Sequence, residues 1–506
     1  MDTSISVEEL ADVMRDLGMT ADEAASYKGV VEGILSGAAA SDAFDWPEAE
    51  PVKRNWVRPD EKDNPHGAWY VQTDIKGSNI KGSKSGKLAG MRVAVKDNLL
   101  LAGVPLMNGT SILEGYEPQE DAEIVTRMLA EGATIVGKTV CEAYCFSGGS
   151  HTSATGPVLN PHNPEHSAGG SSSGSGVVVA TGEVDAAIGC DQGGSIRMPA
   201  SFCGIVGMKP TWGLIPYTGI LGMNPNIDHT GPMTATVAEN ARLLEVLAGR
   251  DGEDSRQIAT PEDAVAYADE LGASDLAGLK IGIVQEGFGL PSSQPMVDSA
   301  VRAAAESLTS LGAEVIDMSV PLHAQAGALT FGGTQAITTS MFNLDGNLLE
   351  RPDLVPEAFI EKQNNWRARA DELPANVKTA LISSEVIRRR EGFRFLARTE
   401  RGTRLLRQAY DDALATVDLL VMPTTPMTAS RLPAAGASPA EVTGLAFAPL
   451  ANTSAFNRTH HPAMSVPCGL ADGLPIGMMF VGQRFAEATI YRAGHLFEQQ
   501  HDWRNR

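Results

Sequence analysis

The sequence of 506 residues has few cysteines, a deficit of basic residues and no long apolar run. Its five cysteines are an odd number in a long chain, which predicts reduced thiols rather than a disulfide framework. Forty basic residues stand against 62 acidic ones, and the net charge of −22 would repel the phosphate backbone of a nucleic acid. Neither a secretory signal nor a membrane span is recognisable. We therefore expect a cytoplasmic protein that binds neither nucleic acid nor membrane.

Helix and strand signals alternate along the chain from Met91 onward. Strands are predicted over residues 92–95, 133–136, 280–284, 315–318 and 417–422, and helices over residues 121–131, 295–311 and 488–499. This order predicts an α/β fold in which helices cover a mixed β-sheet, within a domain of residues 73–506. A mainly helical subdomain is expected at about residues 322–410.

Residues 1–72 are predicted to form an N-terminal α-helical extension and a linker. Ser6 and Thr20 each precede a glutamate by three positions, which is the capping-box pattern of helix starts. Residues 47–90 are rich in proline, glycine, lysine and serine, and most of this segment is predicted to be a surface linker. A helical hairpin of this kind is either a packing appendage or a dimerisation element, and both interpretations stay open.

Three short motifs match known sites but lack the structural context that those sites need. Residues 132–139 match the phosphate loop, yet their centre is itself a predicted strand. Residues 170–174 match the nucleophile elbow of α/β-hydrolases, but the polar segment before them cannot be the required strand. Ser78 and Lys81 match a Ser-x-x-Lys motif in a segment with no predicted helix. None of the three is interpreted as a functional site.

Three polar residues stand in settings that suit acyl transfer. Lys96 follows an apolar run that is predicted to be a strand, Ser171 lies in a run of glycines and serines, and Ser195 follows two glycines. A serine becomes a nucleophile when a base takes its proton and backbone N–H groups face the developing oxyanion. Burial is expected to lower the pKa of Lys96, so that its amine is free to act as the base. These residues predict a serine hydrolase that uses a lysine base.

The same motifs resemble those of the amidase signature family, and especially the bacterial amidases that work alongside nitrile hydratases. Ser171 and Ser195 are 24 positions apart, as the family pattern requires, and residues 207–211 and 228–232 match its downstream segments. The resemblance extends from about Trp69 to Phe497. It implies the amidase signature fold with an N-terminal helical extension, a homodimer, and a reaction that uses no metal or cofactor.

The resemblance also implies a role for individual residues. Ser195 is expected to be the nucleophile that forms an acyl-enzyme, Ser171 the relay and Lys96 the base. The oxyanion hole is expected from the N–H groups of Gln192, Gly193, Gly194 and Ser195. Substrate contacts are expected from Phe146, Ser147, Gly148, Gly149 and Ile227. The implied reaction is hydrolysis of a small aliphatic or aromatic carboxamide, or of an anilide, to a carboxylic acid and ammonia or an amine.

Other functions share parts of this pattern. A glutamine-hydrolysing subunit of a transamidation complex would use the same triad but would need partner chains. A binding protein on an inactive scaffold would not need all three catalytic residues. His229 beside Asp228 suggests a serine–histidine–aspartate site, but neighbouring residues in an extended segment point in opposite directions. Cys141 and Cys145 are predicted to pack on one helical face.

Overall fold

The computed structural model describes residues 2–43, 51–77, 86–261, 265–344, 346 and 355–505. The chain divides into two compact units, Met1–Pro51 and Val52–Arg506. Residues 52–72, which the sequence assigned to the extension, fall within the larger unit. None of the described helices is both long enough and apolar enough to span a bilayer.

A mixed sheet of twelve strands runs through the described part of the larger unit. Its strands are β1 (Trp56–Val57), β2 (Trp69–Lys76), β3 (Arg92–Lys96), β4 (Thr134–Thr139), β5 (Ala186–Asp191), β6 (Val206–Lys209), β7 (His229–Thr234), β8 (Lys280–Val284), β9 (Glu314–Met318), β10 (Leu419–Pro423), β11 (Ala463–Ala471) and β12 (Leu474–Gly482). Their order across the sheet is β1-β2-β4-β3-β5-β7-β6-β11-β12-β10-β8-β9. Strand β3 is parallel to β4 and β5, and β8 is parallel to β9 and β10, whereas the other pairs are antiparallel.

The described α-helices of the smaller unit are α1 (Val7–Asp16) and α2 (Ala24–Ala39). Those of the larger unit are α3 (Glu123–Ala130), α4 (Ser173–Ala180), α5 (Arg197–Cys203), α6 (Val237–Leu247), α7 (Pro295–Ser307), α8 (Ala326–Gly332), α9 (Thr334–Thr338), α10 (Glu357–Asn364), α11 (Ala375–Glu391), α12 (Arg394–Leu414), α13 (Pro439–Phe447), α14 (Ser454–Thr459) and α15 (Glu487–Gln500). The α/β class with a mixed sheet is thus confirmed, and the described part of residues 322–410 is mainly helical.

The parallel neighbours β3 and β5 explain how distant residues come together. Val95 of β3 lies opposite Ile188 of β5, so the carboxyl ends of both strands reach the same edge of the sheet. Lys96 ends β3, and the loop after β5 leads into α5. Ligand sites of open α/β sheets form beyond such strand ends. This edge is therefore where the predicted catalytic residues meet.

Several elements differ from the sequence-based expectation. The predicted linker is wrong over Trp69–Lys76, which forms β2 and pairs with β4. The hairpin of β11 and β12 is absent from the predicted strands, because prolines and glycines interrupt its apolar pattern. Its turn is Asp472-Gly473, with φ of +52° and +78°, which is a recognised two-residue hairpin signal.

At the amino terminus, Ser6 accepts a capping hydrogen bond from the backbone of Glu9. The Ser78 and Lys81 motif lies outside the described residues.

Candidate active site

Lys96 and Ser171 meet in the interior at this edge of the sheet. Lys96 is fully buried, and its Nζ donates to Ser171 Oγ at 2.7 Å and to the backbone oxygen of Cys190 at 3.3 Å. The peptide bond between Gly170 and Ser171 is cis, and the backbone oxygen of Ser171 accepts the N–H of Glu142 at 3.2 Å. A hydroxyl that accepts one hydrogen bond still has a proton to donate. Ser171 is thus held against the lysine with its proton available.

Ser195 lies on the loop between β5 and α5, close to the Ser171 segment. Its backbone oxygen accepts the N–H of Ser172 at 3.2 Å, which ties the two serine segments together. The Ser195 side chain lines a cavity of about 450 Å³. Within the described ranges its Oγ has no hydrogen-bond partner, so no direct bond to Ser171 Oγ is present. The structure therefore joins Lys96 to Ser171 directly and places Ser195 beside them.

A buried ion pair holds the Ser195 loop. The Asp191 carboxylate accepts hydrogen bonds from Arg197 Nε and Nη2 at 3.0 Å, from the Gly194 N–H at 2.7 Å and from Asn457 Nδ2 at 2.8 Å. Asp191 and Arg197 are both fully buried. Burial raises the pKa of Asp191, but the Arg197 guanidinium outweighs it and lowers the pKa to about 2. The carboxylate therefore stays charged and fixes the loop.

Three residues of the Ser195 loop that line the cavity have backbone N–H groups without a described protein acceptor. The N–H groups of Gln192, Gly193 and Ser195 have no protein acceptor in the part of the chain that the structure describes. Gly194 has a φ of +138°, and a Cβ there would lie 2.2 Å from Thr453 Oγ1, so the position requires glycine. Three of the four N–H groups expected in the oxyanion hole remain available, because the Asp191 carboxylate takes that of Gly194.

Two cysteines adjoin the lysine, and they do not share a helical face. Ala143–Cys145 is a 3₁₀ turn in which Tyr144 and Cys145 have φ of +54° and +59°. The thiols of Cys141 and Cys145 both donate to Asn108 Oδ1, at 3.8 and 3.3 Å. The expected packing on one helix is wrong because the chain turns here. Cys145 lines the cavity instead.

These thiols change the protonation of Lys96. Burial lowers the pKa of Lys96, but the thiols of Cys145, Cys190 and Cys141 raise it, and the balance lies above the ordinary value. Burial raises the pKa of Cys190 to about 11, so this thiol is neutral at pH 7. Burial also opposes ionisation of Cys145, but the neighbouring Cys141 thiol and the charge of Lys96 lower its pKa to about 7. The expected fall in the pKa of Lys96 is therefore wrong, because ionised Cys145 stabilises the ammonium form.

Helices α8, α9, α11, α13 and α14 wall the cavity opposite the Ser195 loop. Most of its lining side chains are apolar. The ring of Phe447 packs edge-on against Phe146 at 5.3 Å and against Phe331 at 6.0 Å between ring centroids. Such a cavity buries an apolar ligand of moderate size.

The residues expected to contact substrate separate into two groups. Phe146, Ser147 and Ile227 line the cavity. Gly148 and Gly149 are not among the residues that line it. The Gly148 N–H donates to a backbone oxygen of α13 at 2.7 Å, and its oxygen accepts the N–H of Gly170 at 2.9 Å. Gly148 thus supports the Ser171 segment from behind.

Asp228 and His229 do not form a second catalytic arrangement at this edge. The Asp228 carboxylate accepts the backbone N–H groups of Met223 and Asn224, whereas His229 Nδ1 lies 2.7 Å from the oxygen of Ile227. The two side chains therefore make separate contacts and do not form a catalytic pair. Across the described residues, no group of three or more histidine, cysteine or acidic side chains is arranged to hold a metal ion.

Helix α14 contributes residues that the sequence did not point to. Ser454 and Arg458 line the cavity, and Asn457 bonds to Asp191. They lie more than 250 positions after the Ser195 loop, and no short motif marks them. Only the pairing of β11 with β6 and β12 explains why this segment returns to the site.

Comparison with known proteins assigns both the class of this enzyme, the amide hydrolases, and its family. The amidase family model matches residues 69–491, so the chain belongs to the amidase family. It is 40% identical over 483 residues to an enantioselective amidase of Rhodococcus rhodochrous, covering 94% of this chain and 91% of that protein. It is also 34% identical to a glutamyl-tRNA(Gln) amidotransferase subunit of Methanosarcina acetivorans, covering 93% and 97%. The protein is an amidase.

Solved structures share the fold. A bacterial aryl acylamidase of the amidase signature family superposes with a TM-score of 0.73 at 25% identity, covering 88% of this chain and 91% of that chain. A peptide amidase from Stenotrophomonas maltophilia superposes with a TM-score of 0.68 at 29% identity, covering 82% and 83%. The expected amidase signature fold is thereby confirmed.

Proposed function

We propose that this protein hydrolyses carboxamides through an acyl-enzyme on Ser195, with Ser171 and Lys96 moving the proton. The observation that carries the proposal is the 2.7 Å hydrogen bond from Lys96 Nζ to Ser171 Oγ, beside a second serine that lines the cavity. A lysine fixed to one serine hydroxyl has no evident structural need for an unpaired serine next to it. A relay explains both.

The chemical steps follow from these positions. A rotation of the Ser195 side chain brings its Oγ to Ser171 Oγ, and Ser195 attacks the carbonyl carbon as its proton passes to Ser171. The proton of Ser171 passes to Lys96, and the oxyanion accepts N–H groups from Gln192, Gly193 and Ser195. The C–N bond breaks as the relay returns the proton to the leaving nitrogen. Water then attacks the acyl ester by the same relay and releases the carboxylic acid.

Lys96 accepts a proton only when its amine is free. Cys145 beside it supplies a nearby proton acceptor, because its thiol ionises with a pKa of about 7. Transfer of one proton from the Lys96 ammonium to the Cys145 thiolate frees the amine within the buried site. In this proposal the lysine and the thiol together hold the proton that the base must lose.

The cavity favours a carboxamide with an apolar body, or an anilide, over glutamine. Phe146, Phe331 and Phe447 supply an aromatic wall on which an aliphatic or aromatic acyl group packs. The described lining contains no carboxylate that could pair with the α-ammonium group of glutamine. A buried unpaired charge is costly. We therefore infer the substrate class from the enantioselective amidase and the aryl acylamidase rather than from the amidotransferase subunits.

We also propose that the protein is a cytoplasmic homodimer. Its five cysteines are buried and free, as in a reducing compartment. Helix α2 exposes Tyr27, Val30 and Ile34 at helical spacing, and Val30 and Ile34 are 64% and 66% exposed. Three further positions on this helix are glycines, where a Cβ would meet nothing within 4 Å: Gly29, Gly33 and Gly37. Interior glycines weaken a helix, and an apolar face with glycines allows a second helix to approach closely.

The catalytic proposal is tested with Ser195→Ala and Lys96→Ala, with exposed Ser310→Ala as the matched control. Ammonia release from benzamide should fall at least about 10⁴-fold in both site variants and stay unchanged in the control. A fluorophosphonate should label the wild type and the control but not Ser195→Ala. Hydroxylamine should trap the acyl group as a hydroxamate. Turnover within tenfold of the wild type in either site variant, or labelling that persists in Ser195→Ala, would overturn the proposal.

A further inference from the structure

The wall of the cavity includes two polar residues of α14. Ser454 and Arg458 are four positions apart on this helix, and both line the cavity that holds Ser195. Side chains at this spacing lie on one face with Cβ atoms about 6 Å apart. We propose that these two residues form a binding site for a carboxylate. The enzyme then takes substrates that carry an ionised carboxyl group in addition to the carboxamide. This substrate class, monoamides of dicarboxylic acids, rests on the proposed amide hydrolysis.

The Ser454 hydroxyl is buried and has no partner in the part of the chain that the structure describes. The Ser454 side chain is 2% exposed. Leaving a buried hydroxyl unpaired costs free energy, which a bound acceptor returns. A carboxylate oxygen is such an acceptor, and Ser454 is placed to donate to it.

Arg458 is a buried cation with only long contacts. It is 4% exposed, and its Nη2 donates to the backbone oxygen of Thr330 at 3.3 Å. Its Nη1 reaches Glu400 Oε1 and Thr403 Oγ1, each at 3.4 Å. Charge-assisted hydrogen bonds are usually about 2.7–2.9 Å long, so the pairing with Glu400, whose side chain is 37% exposed, is loose. A buried charge needs a close partner, and the guanidinium retains donors for one.

The remaining lining decides the sign and the shape of the ligand. No acidic side chain lines the described cavity, so a cationic group would meet Arg458 without a counter-charge. The aromatic wall of Phe146, Phe331 and Phe447 suits the carbon chain or ring between the two ends of the substrate. One end is then the carboxamide at Ser195, and the other is the carboxylate at α14. Glutamine differs by its ammonium group, which this lining does not pair.

The test compares acidic amides with neutral amides of the same size. Succinamate, glutaramate, adipamate and terephthalamate are paired with butanamide, pentanamide, hexanamide and 4-methylbenzamide, in which a methyl group replaces the carboxylate. In the wild type, at least one acid should exceed its neutral partner tenfold or more in kcat/KM. Arg458→Gln should lower that acid-to-neutral ratio at least tenfold, mainly through KM, and Ser454→Ala should lower it about threefold. Arg458→Lys should retain part of the preference, and exposed Arg390→Gln should retain all of it.

Two results would overturn the inference. One is a wild type that prefers no acid of the four pairs, and the other is an Arg458→Gln variant with an unchanged ratio, which would make Arg458 a link between helices only. If Arg458→Gln does not fold, inhibition of wild-type benzamide hydrolysis decides. The dicarboxylates should inhibit benzamide hydrolysis competitively, and the matching uncharged diamides should inhibit it less strongly. Absence of inhibition by the dicarboxylates would refute the carboxylate-binding site. Hydrolysis of neutral amides without acid preference defeats this inference alone, whereas no hydrolysis of any amide defeats the proposed function.

Discussion

Replacing Asp191 with asparagine should destabilise the protein through the loop that carries Ser195. The Asp191 carboxylate accepts five hydrogen bonds, two of them from Arg197 and the others from Gly194, Ile196 and Asn457. Asparagine places an NH₂ group where one oxygen accepts, so a donor then faces a donor. Arg197 also loses its counter-charge while it remains fully buried.

The magnitude follows from two independent routes. The fall in the pKa of Asp191 from 3.8 to about 2 corresponds to about 2 kcal/mol of stabilisation. Removing one partner of a buried ion pair typically costs about 3–5 kcal/mol. We therefore expect Asp191→Asn to lower the free energy of unfolding by about 2–5 kcal/mol at pH 7. Because the folded-state pKa is depressed, the wild type keeps this contribution above about pH 4 and loses it as the pH falls toward 2.

Urea unfolding at pH 7, followed by tryptophan fluorescence and circular dichroism, measures this loss. Glu114→Gln is the matched control, because it breaks an ion pair with Arg58 in which both side chains are about half exposed. Exposed pairs contribute about 0–1 kcal/mol. A loss in Asp191→Asn no larger than that in Glu114→Gln would refute the view that the buried charge braces the loop.

Two further predictions concern the base and the assembly. Cys145→Ala removes the thiolate that raises the pKa of Lys96. The acid limb of the plot of kcat/KM against pH, measured with benzamide, should therefore move to lower pH. The control variant Cys468→Ala should leave this limb in place. An unmoved or raised limb in Cys145→Ala would contradict the coupling of the two groups. Val30→Ser combined with Ile34→Ser should convert the proposed dimer to a monomer in sedimentation experiments, because both side chains are exposed on α2. A mass equal to that of the wild type would rule out this face as the interface.

The predictable part of the fold consists of elements with an uninterrupted local signal. Strands β3, β8, β9 and β10 are short apolar runs, and α7 begins with a proline and is followed by a left-handed glycine at Gly312. Strand β2 is not predicted from the sequence, because its second half, from Gln72 to Lys76, is mostly polar and only partly buried. Strands β11 and β12 are not predicted because prolines and glycines interrupt their apolar pattern, although the turn residues Asp472-Gly473 are themselves a hairpin signal. Local pattern therefore predicts buried strands better than partly exposed or interrupted ones.

The site shows the same limit in another form. Lys96, Ser171 and Ser195 are recognisable because each lies in a short motif. The direct bond between Lys96 and Ser171 is consistent with the parallel pairing of β3 with β5. Arg458 has no motif, and it reaches the cavity only because the strands that follow α14 pair beside β6. Residues that recognise substrate are thus less visible in a sequence than residues that carry the chemistry, because packing alone brings them to the site.

The protonation of Lys96 depends on neighbouring side chains that only the folded chain brings together. Burial was expected to free the amine, and burial does act in that direction. However, Cys190 arrives from the end of β5 and Cys145 from the turn after β4, and the charge of an ionised thiol opposes the effect of burial. Since proton transfer between neighbouring groups leaves their total charge unchanged, the relevant quantity is the number of protons that Lys96 and Cys145 hold together. A lysine base in this enzyme is therefore a property of the pair, and a substitution of the thiol should change the pH at which the serine becomes reactive.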